Sequence, residues 1–132
     1  MRLTALAATA LLAVSPIAAA PALAAGDAAA GKKVFVKCMV CHEAATDKDK
    51  VGPSLHGVVG RKAGTLPSFA GKYSPAMKKA GEAGLVWDEA NLSAYLKSPK
   101  DKVPGNKMGF AGLKGDADIA NVIAYLEDAA KQ

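Results

Sequence analysis

Apolar positions along the chain recur at helical spacing, and no period-two run of useful length is present. Near the end, Ile119, Val122, Ile123 and Leu126 fall at i, i+3, i+4 and i+7, which is one face of a helix beginning near Asp116 or Asp118. Leu92, Tyr95 and Leu96 share a face of an earlier helix that starts after Asp88 and ends at Ser98-Pro99. A short helix is expected from Ser74 as N-cap and Pro75 in the first turn to Gly81. The leading helix is expected over 28–38, with Asp27 as N-cap ahead of Val34 and Phe35. Gly31 lies inside that helix, where glycine costs about 1 kcal/mol relative to alanine. It is either tolerated near a frayed end or required where another helix approaches closely. Gly- and Pro-rich loops are expected over 51–71 and 100–115, so the fold class is all-α.

The first 24 residues have a different pattern. Arg2 gives a positive start, 3–20 is an apolar run rich in Ala and Leu, and Ala22-Leu23-Ala24 ends in a small-x-small sequence. That is the pattern of a cleaved signal peptide, with export to the periplasm expected. Pro16 and Pro21 interrupt the run, which disfavours the alternative of a retained membrane anchor. Residues 25–132 then form one small domain with a modest core. The formal charge of +5 falls by one when Arg2 leaves, so the surface is mildly basic. With so small an excess and no base-stacking aromatics beside it, nucleic acid is not an expected partner.

The chemistry is concentrated in Cys38-Met39-Val40-Cys41-His42, the Cys-x-x-Cys-His signature of c-type haem attachment. Two thiols at this spacing can bond the two vinyl groups of one haem, and His42 then offers an imidazole nitrogen as axial ligand. A thioredoxin-like pair is expected near a βαβ pattern, which is missing. A zinc site needs four suitably spaced ligands; the only Cys and His residues are Cys38, Cys41, His42 and His56, and adjacent Cys41 and His42 cannot easily both point at one tetrahedral centre. A disulfide across so short a loop stabilises little.

A second axial ligand decides between an electron carrier and an open-site haem protein, whether catalyst or sensor. Candidates are Met39, Met77, Met108, His56 and the lysines. Met39 is excluded by reach. Met77 sits on a helical turn and reads as core. His56 reads as an exposed or hydrogen-bonded loop histidine. Met108 lies in Pro104-Gly105-Asn106-Lys107-Met108-Gly109, between two helices with no helix face to fill. Pro104 stiffens that loop and Gly105 permits an unusual turn.

Several linked motifs, in order, extend over essentially all of 25–132. These are Gly31 and Phe35; Cys38, Cys41 and His42; Gly52-Pro53-Ser54-Leu55-His56-Gly57; Gly60-Arg61-Lys62; Val86-Trp87; Tyr95-Leu96; Pro104 to Met108; and Tyr125-Leu126. Together they resemble a class I c-type cytochrome of the cytochrome c2 group, similar to mitochondrial cytochrome c. The resemblance implies a small single-domain cytochrome c fold, with helices and loops wrapped around one haem c bonded through Cys38 and Cys41. It implies His42 as proximal and Met108 as distal ligand, and Pro53 accepting from the other nitrogen of His42. Tyr95 is then near the Met108 sulfur; Tyr73, Trp87 and Arg61 are near the propionates; Gly31 crosses the last helix close to Tyr125. Met77 stands where many mitochondrial relatives carry Asn, and the 61–73 loop is slightly longer than theirs. The expected function is a soluble, monomeric periplasmic one-electron carrier, not an enzyme. Its expected partners are acidic redox proteins such as a cytochrome bc1-type donor and an oxidase or reaction-centre acceptor. Docking is expected through Lys37 and Lys107, beside Cys38 and Met108, extended by Lys62, Lys72, Lys97, Lys100 and Lys102.

Overall fold

The computed structural model describes residues 25–132; the predicted leader lies outside the described residues. Five helices follow one another: α1 (Ala28–Phe35), α2 (Pro75–Glu82), α3 (Glu89–Lys97), α4 (Pro99–Lys102) and α5 (Asp116–Ala129), with a 3-10 turn at Pro67–Phe69 between α1 and α2. Three of them start where a side chain accepts an otherwise unpaired N–H. Asp27 takes that of Ala30 at 2.7 Å, Ser74 that of Met77 at 3.0 Å, and Asp88 that of Asn91 at 2.7 Å. No side chain caps α5. Asp116 and Asp118 in its first turn favour the positive end of the helix dipole instead.

The leading helix is shorter than the 28–38 expected. Past Phe35, i−3 and i−4 bonds alternate: Lys37 N–H reaches Val34 O at 3.1 Å and His42 N–H reaches Cys38 O at 2.9 Å. The coiling therefore continues irregularly through the Cys-x-x-Cys-His stretch. Pro99 does not only end α3. It opens α4, which occupies the start of the loop expected over 100–115.

The core forms where α1 crosses α5, the most extensive pairing of helices. Gly31 is buried at that crossing, and a Cβ there would overlap the Asn121 carbonyl. Close backbone approach, not tolerance, accounts for this glycine. Phe35 and Tyr125 pack as a tilted pair with ring centroids 5.2 Å apart. The α5 positions Ile119, Val122, Ile123 and Leu126 are all buried, as their spacing requires. Between α1 and α2 the chain wraps the core as loops. A lone antiparallel bridge joins Lys62 and Val86, flanked by Ala63 N–H to Leu85 O and Trp87 N–H to Arg61 O, both 2.9 Å. With no strand beyond it among the described residues, the class is all-α. No described helix is long and apolar enough to cross a membrane.

Candidate haem site

The turn after α1 presents Cys38 and Cys41 as free, half-buried thiols. Burial pushes the Cys38 thiol up, with Lys37 opposing. The next residue, His42, is turned inward, with Nδ1 2.7 Å from Pro53 O. As the protonated nitrogen, Nδ1 donates to that carbonyl, which commits the tautomer and leaves Nε2 with the free lone pair. Burial holds the proton affinity of His42 below the ordinary histidine value, outweighing the hydrogen bond to Pro53. A neutral imidazole is the form a metal needs. Gly52 leaves room for the ring: a Cβ there would overlap His42 Cε1. Gly52 is also tied back to the turn by its N–H to Cys41 O, 2.8 Å.

The loop after α4 supplies Met108. Gly105 turns the chain at φ +85°, a region that favours glycine. Asn106 then ties the loop to α4 and to Met108. Its Nδ2 donates to Pro99 O and Val103 O at 3.0 and 2.9 Å, and its Oδ1 accepts the Met108 N–H at 2.8 Å. Tyr95 of α3 donates its hydroxyl to Met108 Sδ at 3.9 Å. Burial pushes the Tyr95 phenol up to about 12, so it remains a donor at neutral pH. The Trp87 ring packs on Tyr95 at a tilt, with centroids 4.8 Å apart. Cys38 and Met108 are both half-buried and pack against the same apolar core.

The Arg61 guanidinium donates to Ser54 O at 2.8 Å and His56 O at 3.3 Å, while its backbone carbonyl holds the Trp87 N–H. Tyr73 lies near Arg61, burial pushes its phenol up, and its ring meets Phe69 edge-on at 5.1 Å. The expected site residues thus fall into three groups: Cys38, Cys41, His42 and Pro53; Met108, Tyr95 and Trp87; Arg61 and Tyr73, joined to the second through Trp87. Met77 is buried in the core. His56 Nδ1 lies 3.2 Å from Ala44 O in a half-buried loop. Met39 is 49% exposed. Sequence reasoning assigned no role to Gly52 or Asn106, because each acts through a contact made only when loops close.

These residues fit a c-type haem by their chemistry: two free thiols, a neutral imidazole with one nitrogen committed, and a half-buried thioether held by a phenol. Among the described residues no group of three or more His, Cys, Asp or Glu gathers as a metal site of another kind.

The comparisons with known proteins agree. The family model described as Cytochrome c matches residues 28–130. The chain is 55% identical over 93 residues to cytochrome c2 iso-2 of Magnetospirillum fulvum, covering 70% of this chain and 92% of that one. It is 45% identical over 97 residues to cytochrome c-550 of Bradyrhizobium diazoefficiens, covering 73% of this chain and 68% of that one. Among solved structures, cytochrome c2 from Rhodospirillum centenum matches with a TM-score of 0.73 and 40% identity, over 78% of this chain and 98% of that one. Cytochrome cH from Methylobacterium extorquens matches with a TM-score of 0.68 and 47% identity, over 78% and 99%. A chain that shares this much sequence and this fold with them belongs to the cytochrome c family, in its class I cytochrome c2 and c-550 group of one-electron carriers.

Proposed function

We propose that the chain holds one haem c through Cys38 and Cys41, with His42 Nε2 and Met108 Sδ as axial ligands. In this reading it shuttles single electrons in the periplasm between acidic redox partners, residues 1–24 being removed on export. When bound, the haem supplies an iron that takes up and returns one electron. The observation that carries the reading is the His42–Pro53 bond of 2.7 Å, which orients a neutral imidazole with its other nitrogen free.

Each residue then has a task. Pro53 fixes the plane of His42 and raises its basicity. The soft Met108 thioether favours the reduced state and raises the potential. Tyr95 steadies the Met108 sulfur by its hydroxyl. Trp87, Arg61 and Tyr73, with their polar tips, would hold the propionates. With both axial positions held by side chains, no position remains for a small-molecule substrate. Exposed Lys37 and Lys107 directly precede Cys38 and Met108 in the chain and would attract acidic surfaces.

Visible spectra of the oxidised and reduced protein, with and without carbon monoxide, test this. The expected result is low-spin iron in both states, a weak far-red Met–iron band when oxidised, and no response to carbon monoxide. High-spin iron that binds carbon monoxide promptly would overturn Met108 ligation and favour a catalyst or sensor.

A further inference from the structure

Lys50 reads in the sequence as one more surface lysine, but its ammonium is turned back onto the haem-attachment turn. Nζ donates to Met39 O at 2.8 Å and lies 3.7 Å from Glu43 Oε2, the two side chains being only 30% and 29% exposed. Glu43 is itself fixed, because its Oε1 accepts the N–H groups of Ala44 and Ala45 at 2.9 and 3.2 Å. The Lys50 N–H donates to Gly52 O at 3.0 Å, and the Gly52 N–H donates to Cys41 O at 2.8 Å. The result is a closed circuit around His42, with Met39 and Cys41 before it, Glu43 after it, and Lys50 bridging to the segment that carries Gly52 and Pro53.

That segment determines how the imidazole sits. Gly52 leaves no space for a side chain against the ring, and Pro53 O holds Nδ1. A displacement of 50–53 from the turn therefore shifts both contacts at once.

We propose that Lys50 is a positioning residue for His42: it straps the attachment turn to the segment bearing Gly52 and Pro53. This rests on His42 being the proximal ligand, as proposed above. Without Lys50 the Glu43 carboxylate, 3.7 Å from its ammonium, is left beside the turn with no cation, and an unpaired anion there favours the more positive, oxidised centre.

The test compares haem-loaded wild type with Lys50→Met, which keeps the apolar stem, Lys50→Arg, and Lys48→Met as a control at an exposed lysine. Two quantities are read: exchange of the His42 Nδ1 proton by NMR in the reduced state, and the reduction potential. In Lys50→Met that proton exchanges about tenfold faster and the potential falls. Lys50→Arg restores both, and Lys48→Met matches wild type. Exchange in Lys50→Met equal to that in Lys48→Met would overturn the positioning role, whether or not the potential moved. A wild-type spectrum without a His-ligated c-type haem would instead remove the reading on which the proposal stands.

Discussion

Asp49 shows how much a single carboxylate can hold in a loop-rich protein. Its Oδ1 accepts the Ser54 N–H at 2.8 Å. The Ser54 hydroxyl in turn donates to Thr46 O at 2.6 Å and accepts the His56 N–H at 3.1 Å. Through this buried serine, Asp49 organises the stretch that carries Pro53. The Ser54 N–H holds the Asp49 carboxyl below the usual carboxylate range, with smaller help from Ser68, Lys72 and Arg61. A depressed value in the folded state means that ionised Asp49 stabilises the fold above its unfolded pKa of about 3.9, and that this is lost as pH falls through the folded value. Asp49→Ala should therefore cost about 1 kcal/mol near neutral pH, and the gap from wild type should narrow on acidification below the usual carboxylate range. Denaturant titrations of both proteins at neutral and at acid pH check this, and a gap that does not depend on pH would assign the cost to packing. Neither Asp49 nor Lys50 was legible as a structural residue in the sequence. A charged loop position looks solvated until the loop closes and brings its partner to it. Cys38, Cys41 and His42 were legible because their chemistry is contained in five consecutive positions.

At the scale of elements, legibility follows length and capping. Asp27, Ser74 and Asp88 mark helix starts by a bond made within three residues, so local sequence is enough to find them. The four-residue α4 and the turn at Pro67–Phe69 are too short to carry a helical period, and both depend on how the loops fold back. The Lys62–Val86 bridge pairs single positions far apart in the chain, which no periodicity reveals. The α1–α5 crossing was legible at one residue, Gly31. A side chain there must displace the Asn121 carbonyl and the Tyr125 Cβ, and backbone yields less readily than a flexible side chain. Gly31→Val should destabilise the fold by roughly 1–3 kcal/mol through overpacking, seen as a lowered melting temperature with the haem spectrum retained. An unchanged melting curve would mean that the helices can separate at no cost and that their contact, although buried, does not hold the core together.

At the scale of the whole molecule, the question is which lysines present charge to a partner. The structure sorts the set that the sequence offered. Lys97 is engaged with Asp116 at 3.1 Å, on the outside of α3, and its charge is locally offset. Lys72 lies over the Phe69 ring, 5.5 Å from its centroid. Lys37 and Lys107 are exposed, make no ion pair among the described residues, and adjoin Cys38 and Met108. They stand where an approaching acidic surface gains most, since attraction between exposed charges is lost beyond a Debye length of about 10 Å at 0.1 M salt. Oxidation by an acidic partner should therefore slow by about tenfold or more as ionic strength rises from low to physiological. Charge reversal at Lys37 or Lys107 should slow it at low salt, while Lys97→Glu should have much less effect. Stopped-flow rates across a salt series separate these outcomes. If Lys97→Glu matched Lys107→Glu, only net charge would matter, and the sites flanking the thiol and the thioether would have no special part in docking. A rate indifferent to salt would remove electrostatic recognition altogether, leaving apolar contact at exposed positions such as Val40 to bring the partners together.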